Sequence, residues 1–173
     1  MSVILEEVLE TEKTILGNLY SLYLHDLSKF TTMLDIGADG LFEFEELNKF
    51  WEVDGFTPYF IKVGDSIIGF ILLLERPFLK KEHDFGINDI FILNKYKRKK
   101  LGRRAIEKLF EKKQGKYFVI ELIENRPAVS FWKKLYNELN IQYEEKQETI
   151  DDEPCLIQTF MISVTKQTST IFS

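Results

Sequence analysis

A chain of 173 residues with 45% hydrophobic and 14% aromatic residues has ample material for one core and little room for two. Its net charge of −5 argues against a general nucleic-acid binder, its one cysteine (Cys155) cannot close an internal disulfide, and its two distant histidines (His25, His83) offer no zinc spacing. The longest apolar run, Ile67 to Leu74, falls well short of the ~20 residues that span a bilayer, and Met1-Ser2-Val3 opens no basic signal region, so a single-domain, soluble, cytoplasmic protein over residues 1–173 is expected.

Along the chain, Ser2 to Glu7 is a short strand candidate. From Glu12 onward, Leu16, Leu19, Tyr20, Tyr23 and Leu27 share one face of a helix, and Phe44, Leu47 and Trp51 repeat the pattern. Two apolar runs, Tyr59 to Val63 and Ser66 to Leu74, flank Gly64-Asp65 and predict a hairpin. Asp84 to Leu93 is a further strand. A helix with the apolar face Leu101, Ala105, Leu109 and Phe110 follows and ends near Gly115. Tyr117 to Ile123 is apolar enough for a buried central strand. The next helix starts at Asn125, a capping residue, with Pro127 in its first turn and Ala128, Phe131, Trp132, Leu135 and Leu139 on its buried face. Ile141 to Thr149 and Leu156 to Val164 finish as strands joined by Asp151-Asp152-Glu153-Pro154, giving an α/β chain with β-α-β-α-β in its second half.

Charge is distributed unevenly. Seven of the ten residues from Lys95 to Arg104 are basic and none is acidic, which leaves −12 on the remainder. That window leads into the start of a helix, where unpaired N–H groups and the helix dipole favour an anion by ~0.3–1 kcal/mol. Gly102, lacking a side chain, lets the backbone approach a bulky pyrophosphate. Neither GxGxxG nor GxxxxGK[ST] is present, so a dinucleotide or nucleoside triphosphate is the less expected ligand; a solvated basic loop is the plain alternative.

Asn88 to Leu93 followed by Tyr96-Lys97-Arg98-Lys99-Lys100-Leu101-Gly102-Arg103-Arg104 resembles the [QR]xxGx[GA] cofactor motif of the GNAT N-acetyltransferases. Gly102 takes its last position, Lys97 stands at the Gln/Arg position and Lys100 at the first glycine. Asn125 to Tyr136 is similar to the family's NxxAxxFYxxxGF segment, with Trp132 where many relatives have tyrosine, and Leu22 to Leu27 resembles a bacterial subgroup of predicted acetyltransferases. The resemblance covers nearly the whole chain, with the specific motifs between about residues 88 and 136. It implies a mixed, mostly antiparallel sheet of about six or seven strands with a parallel central pair, flanked by about four helices.

It also implies an acetyl-CoA site. The backbone of Phe91 and Leu93, with Ile92 between them, would pair with the pantetheine arm. The amides of Arg98, Lys99, Lys100, Leu101, Gly102 and Arg103, with Lys97 nearby, would hold the pyrophosphate. Asn125 would bond the pantetheine, and Phe131 and Trp132 would pack along it near the sulfur; a helix cap and ordinary core packing are the alternatives for these three. An amine acceptor would attack the thioester directly, so Cys155 is not needed as a nucleophile. A lysine-like amine of pKa ~10.4 is neutral in only roughly one part in 2,500 at pH 7, which makes a base useful. Asp89 is the first candidate, a strand-end carboxylate being its plain reading; Glu121 is a second, and His83 would need an inward-folded loop. Tyr136, one turn beyond Trp132, is the candidate general acid.

The acids Glu144, Glu145, Glu148, Asp151, Asp152 and Glu153 favour a cationic acceptor, on a small molecule or a protein, or are simply a solvated face. Phe42, Phe44, Phe50, Trp51, Phe56 and Tyr59 either line an acceptor pocket or belong to the core. No metal, membrane or nucleic-acid partner is expected, and a homodimer is left open. The rival classes are a non-catalytic acyl-CoA-binding domain and a nucleic-acid module built on Lys95 to Arg104, the second lacking the aromatic-studded basic sheet it would need.

Overall fold

The computed structural model describes residues 2–42 and 45–163, so Phe44 and Val164 lie outside it. Seven strands make one sheet: β1 (Val3–Glu7), β2 (Phe56–Val63), β3 (Ser66–Glu75), β4 (Phe85–Ile92), β5 (Gly115–Leu122), β6 (Tyr143–Ile150) and β7 (Glu153–Ile162). Their order is β1-β2-β3-β4-β5-β7-β6, and every neighbouring pair is antiparallel except β4 and β5, which run parallel. Between strands lie α1 (Lys13–Leu27), the single turn α2 (Lys49–Glu52), α3 (Leu101–Lys112) and α4 (Arg126–Glu138).

Hydrophobic faces sort these elements into three layers. On one side of the sheet, Leu101, Ala105, Ile106 and Leu109 of α3 and Trp132, Leu135 and Tyr136 of α4 pack on Ile87, Tyr117, Val119 and Phe160. On the other side, Leu16 of α1 joins Leu47, Phe50, Phe60, Phe70, Leu72 and Phe91. Fully buried side chains of this size contribute about 1.5–3 kcal/mol each, so both faces are held firmly. Phe50, Phe56 and Tyr59 are spent in this packing, with the Phe50 and Phe56 rings 5.2 Å apart.

One connection, one strand and one helix face differ from expectation. The turn between β6 and β7 is only Asp151-Asp152, because both residues adopt left-handed backbone (φ 49° and 64°) that suits a two-residue hairpin; Glu153 and Pro154 already pair with Ile150 and Thr149. β5 is not buried throughout: Tyr117, Val119 and Glu121 face the helices, whereas Lys116 and Ile120 are exposed on the uncovered face. On α1, Leu24 is buried more deeply than Leu27. No helix among the described residues is long and apolar enough to cross a membrane.

Candidate functional site

The sheet comes apart at its parallel pair. Only Phe85 to Ile87 of β4 pair with Tyr117 to Val119 of β5. Beyond them β4 continues with β3 as far as Ile92 opposite Gly69, and β5 continues with β7 as far as Leu122 opposite Cys155. The gap opens into a cleft of about 760 Å³, walled by β4, the loop before α3, the start of α4 and the end of α1.

Ile90, Phe91 and Ile92 form the β4 wall; Leu93 does not reach it. The Leu93 N–H donates to the Ile68 carbonyl at 2.8 Å, and the Phe91 carbonyl lies so close to Gly69 that a Cβ there would stand 1.9 Å from it. Strand alternation therefore turns the backbone groups of Ile90 and Ile92, one residue off the expected pair, toward the open seam.

At the loop, Arg98 and Lys100 adopt left-handed backbone, with φ 63° and 59°. Lys100 thus holds the conformation that glycine would take most easily, at a cost of ~1–2 kcal/mol. The first hydrogen bond into α3 runs from the Arg104 N–H to the Lys100 carbonyl at 3.1 Å, so the N–H groups of Leu101, Gly102 and Arg103 have no acceptor within the helix. Lys97, Arg98, Lys100, Leu101, Gly102 and Arg103 line the cleft there, and Lys99 does not, its ammonium lying 6.0 Å from the Tyr96 ring. The Arg103 side chain is otherwise engaged: its guanidinium bonds Glu107 at 3.3 Å and Glu138 of α4, tying the two helices together. Lys97 lies 3.7 Å from Asp26.

On α4, Asn125 does cap the helix, its Oδ1 accepting the Ala128 N–H at 3.3 Å, and it also lines the cleft. Phe131 and Trp132 meet edge to face at 5.2 Å and close the inner wall. A Cβ added at Gly102 would lie 3.3 Å from the Phe131 ring, so strand, loop and both helices converge at that glycine.

Asp89 sits on the α1 face of β4. Its carboxylate accepts from Tyr23 Oη at 2.5 Å, Asn88 Nδ2 at 2.8 Å and Tyr20 Oη at 3.5 Å. Burial pushes its pKa up to about 7 despite these bonds, which pull it down, and Glu46 adds to the rise. Tyr23, packed against Phe70 and Phe91, lines the cleft; Asp89, half-buried, is not in its wall. Sequence periodicity placed both tyrosines on the apolar face of α1 and missed their polar task, although phenol groups on a buried face are a signal that a partner is needed.

Tyr136 departs most from expectation. It is fully buried away from the cleft, and its hydroxyl donates to Gln158 Oε1 at 2.8 Å, while Gln158 Nε2 donates to Glu145 at 2.9 Å. Burial raises its pKa far above the ordinary phenol value. Glu121 lies in the same region, 6% exposed and beside Gln158; burial pushes its pKa up to about 7, against the opposing pull of Gln158. His83 packs on Phe118, outside the cleft wall. Of the acids on the last hairpin, Glu145 is paired with Lys133, Glu148 with Lys146, and Glu153 accepts from Thr31. Among the described residues no group of three or more His, Cys, Asp or Glu is placed to hold a metal ion.

Residues 19–136, which contain all of the cleft lining except Glu138, match the model of the acetyltransferase (GNAT) family. The chain belongs to that family. No curated protein matches the GNAT chain in sequence. In fold it is similar to an acetyltransferase from Thermus thermophilus (13% identity, 92% of this chain and 96% of that one, TM-score 0.65). It is similar also to AAC(6')-Ib in complex with paromomycin and acetyl-CoA (15%, 99% of each chain, TM-score 0.66). A third similar structure is the ribosomal-protein-S18-alanine N-acetyltransferase from Escherichia coli (12%, 96% and 98%, TM-score 0.58). At these identities the likeness is one of fold.

Proposed function

We propose that the chain is an N-acetyltransferase that moves an acetyl group from acetyl-CoA to a primary amine. The observation that carries this reading is the opened seam: a free β4 edge leads directly to three helix-start N–H groups inside a strongly basic loop. The residues present fit the cofactor. Leu101, Gly102 and Arg103 offer amide donors for a pyrophosphate, and Gly102 leaves the space beside Phe131 unfilled. Ile90 and Ile92 offer strand-like hydrogen bonds to a pantetheine arm, Asn125 keeps its Nδ2 free of the cap, and Phe131 and Trp132 flank the inner end.

When bound, acetyl-CoA would supply the thioester carbonyl. Asp89 is the base that takes the amine's proton, its raised pKa being matched to neutral pH. No acid role falls to Tyr136, whose proton is held by Gln158; a thiol of pKa near ~8.5 can leave as thiolate unaided. The similar structures span a small ligand, paromomycin, and a protein-directed enzyme, and either kind of amine suits the half-open cleft.

Calorimetric titration with acetyl-CoA, with ATP as control, tests the cofactor; thiol release in the presence of primary amines tests transfer. Micromolar binding that ATP cannot match, with thiol release, is the expected result. The burial of Tyr136 favours a second reading, a non-catalytic acyl-CoA-binding domain, which would bind acetyl-CoA and turn over no amine.

A further inference from the structure

Asp89 is not part of the cleft wall, whereas Tyr23 is, and the Tyr23 hydroxyl donates to Asp89 Oδ1 at 2.5 Å. We infer that Tyr23 is a catalytic residue: its Oη meets the acceptor nitrogen and passes that nitrogen's proton on to Asp89. The inference rests on the acetyl-transfer reading and goes beyond it by placing a tyrosine of α1 between base and substrate.

The step balances as one proton moved over two bonds. The substrate N–H bond breaks and a new O–H bond forms at Tyr23 Oη; the original Tyr23 O–H bond breaks and an O–H bond forms at Asp89 Oδ1. Tyr23 is neutral before and after, and the carboxylate becomes a carboxylic acid. A stepwise route through tyrosinate is unfavourable, because burial and the adjacent Asp89 charge both raise the Tyr23 pKa well above its ordinary value. The two transfers therefore go together.

Geometry holds the pair in place. Tyr23 lies 5.9 Å from the Phe70 ring and 6.2 Å from Phe91, both edge-on, with the Tyr20 ring at 5.4 Å. The second Asp89 oxygen is bonded by Asn88 and Tyr20, which leaves Oδ1 to Tyr23. The groups that set the Asp89 charge are Tyr20 and Tyr23 from α1, Glu46 from the turn before α2, and Asn88 on its own strand.

Two measurements on the full chain decide the matter. Carboxyl carbon NMR titration needs no acceptor: Tyr23→Phe removes a bond that favours the Asp89 carboxylate, so the Asp89 midpoint should rise from about 7. An unmoved midpoint overturns the relay. The second is the pH profile of kcat/KM with any amine that releases thiol, spermidine and paromomycin being the first tried. A relay predicts that Tyr23→Phe lowers the high-pH plateau about 10²-fold while the acetyl-CoA Kd stays the same. A tyrosine that only positions Asp89 predicts a shifted acidic limb with the plateau recovered, and that outcome also overturns the relay. Failure of every amine in the wild type overturns the acetyl-transfer reading and the relay with it, whereas turnover with an intact Tyr23→Phe plateau overturns the relay alone.

Discussion

The two ends of the cleft are built in opposite ways. The anion end is one continuous stretch, Lys97 to Arg103, whose chemistry is carried by backbone N–H groups and local charge. The proposed amine end is assembled from α1, β4 and the turn before α2, with Tyr23 and Asp89 66 positions apart in the chain. A site made of neighbours in sequence depends on loop conformation; a site made of distant residues depends on the packing that brings them together. Substitutions should therefore separate binding from turnover.

The largest effect is expected at Gly102. Gly102→Glu places bulk against Phe131 and a negative charge where phosphates would sit, and should abolish acetyl-CoA binding by calorimetry with an unchanged circular dichroism spectrum. Retained affinity in the folded variant would move the pyrophosphate elsewhere. At the other end, Asp89→Asn should lower kcat by about 10²–10⁴-fold and leave the acetyl-CoA Kd alone. In the wild type, activity should rise through about pH 7 as Asp89 ionises, and the variant should lose that limb.

Stability should move the other way with pH. Asp89 and Glu121 both have folded pKa values near 7, against about 4 for ordinary carboxyls, so the folded chain holds protons that the unfolded chain releases. Their contribution is present below about pH 4 and is lost as pH rises through 7. Thermal melts of Asp89→Asn should show a shallower decline across that window; an identical slope would mean that Asp89 titrates normally.

Smaller effects sharpen the contrast. Lys100→Gly should be more stable than Lys100→Ala by about 1 kcal/mol, since alanine keeps the left-handed cost that glycine removes. Tyr136→Phe should cost about 1 kcal/mol by denaturant melts, the loss of its bond to Gln158, with a fall in kcat far below that of Asp89→Asn. A comparable fall would return Tyr136 to the chemistry.

What the sequence made legible follows the same division. The Gly64-Asp65 hairpin, the amphipathic face of α3 and the Asn125 cap depend on residues a few positions apart, and each appears where periodicity and turn chemistry placed it. So does the basic loop, although the left-handed backbone of Arg98 and Lys100 had no sign in residue type. The Tyr23–Asp89 bond has no local signal, and Tyr136 was misplaced because helical spacing gives its face of α4 but not the Gln158 waiting beneath it. The backbone phase of β4 depended on the Leu93 to Ile68 bond, a matter of pairing with β3 that no pattern within β4 reveals.

A sheet is usually most labile at its margins, where outer strands meet water. Here the three-residue ladder between β4 and β5 gives the middle of a seven-stranded sheet the character of a margin. Deuterium should accordingly enter at Ile90 and Ile92 faster than at their β3-bonded neighbour Leu93, an inversion of the ordinary order from core to rim. Filling the seam would restore the missing rungs, so that slowed exchange in these few central amides would report an occupied cleft without any chemistry taking place.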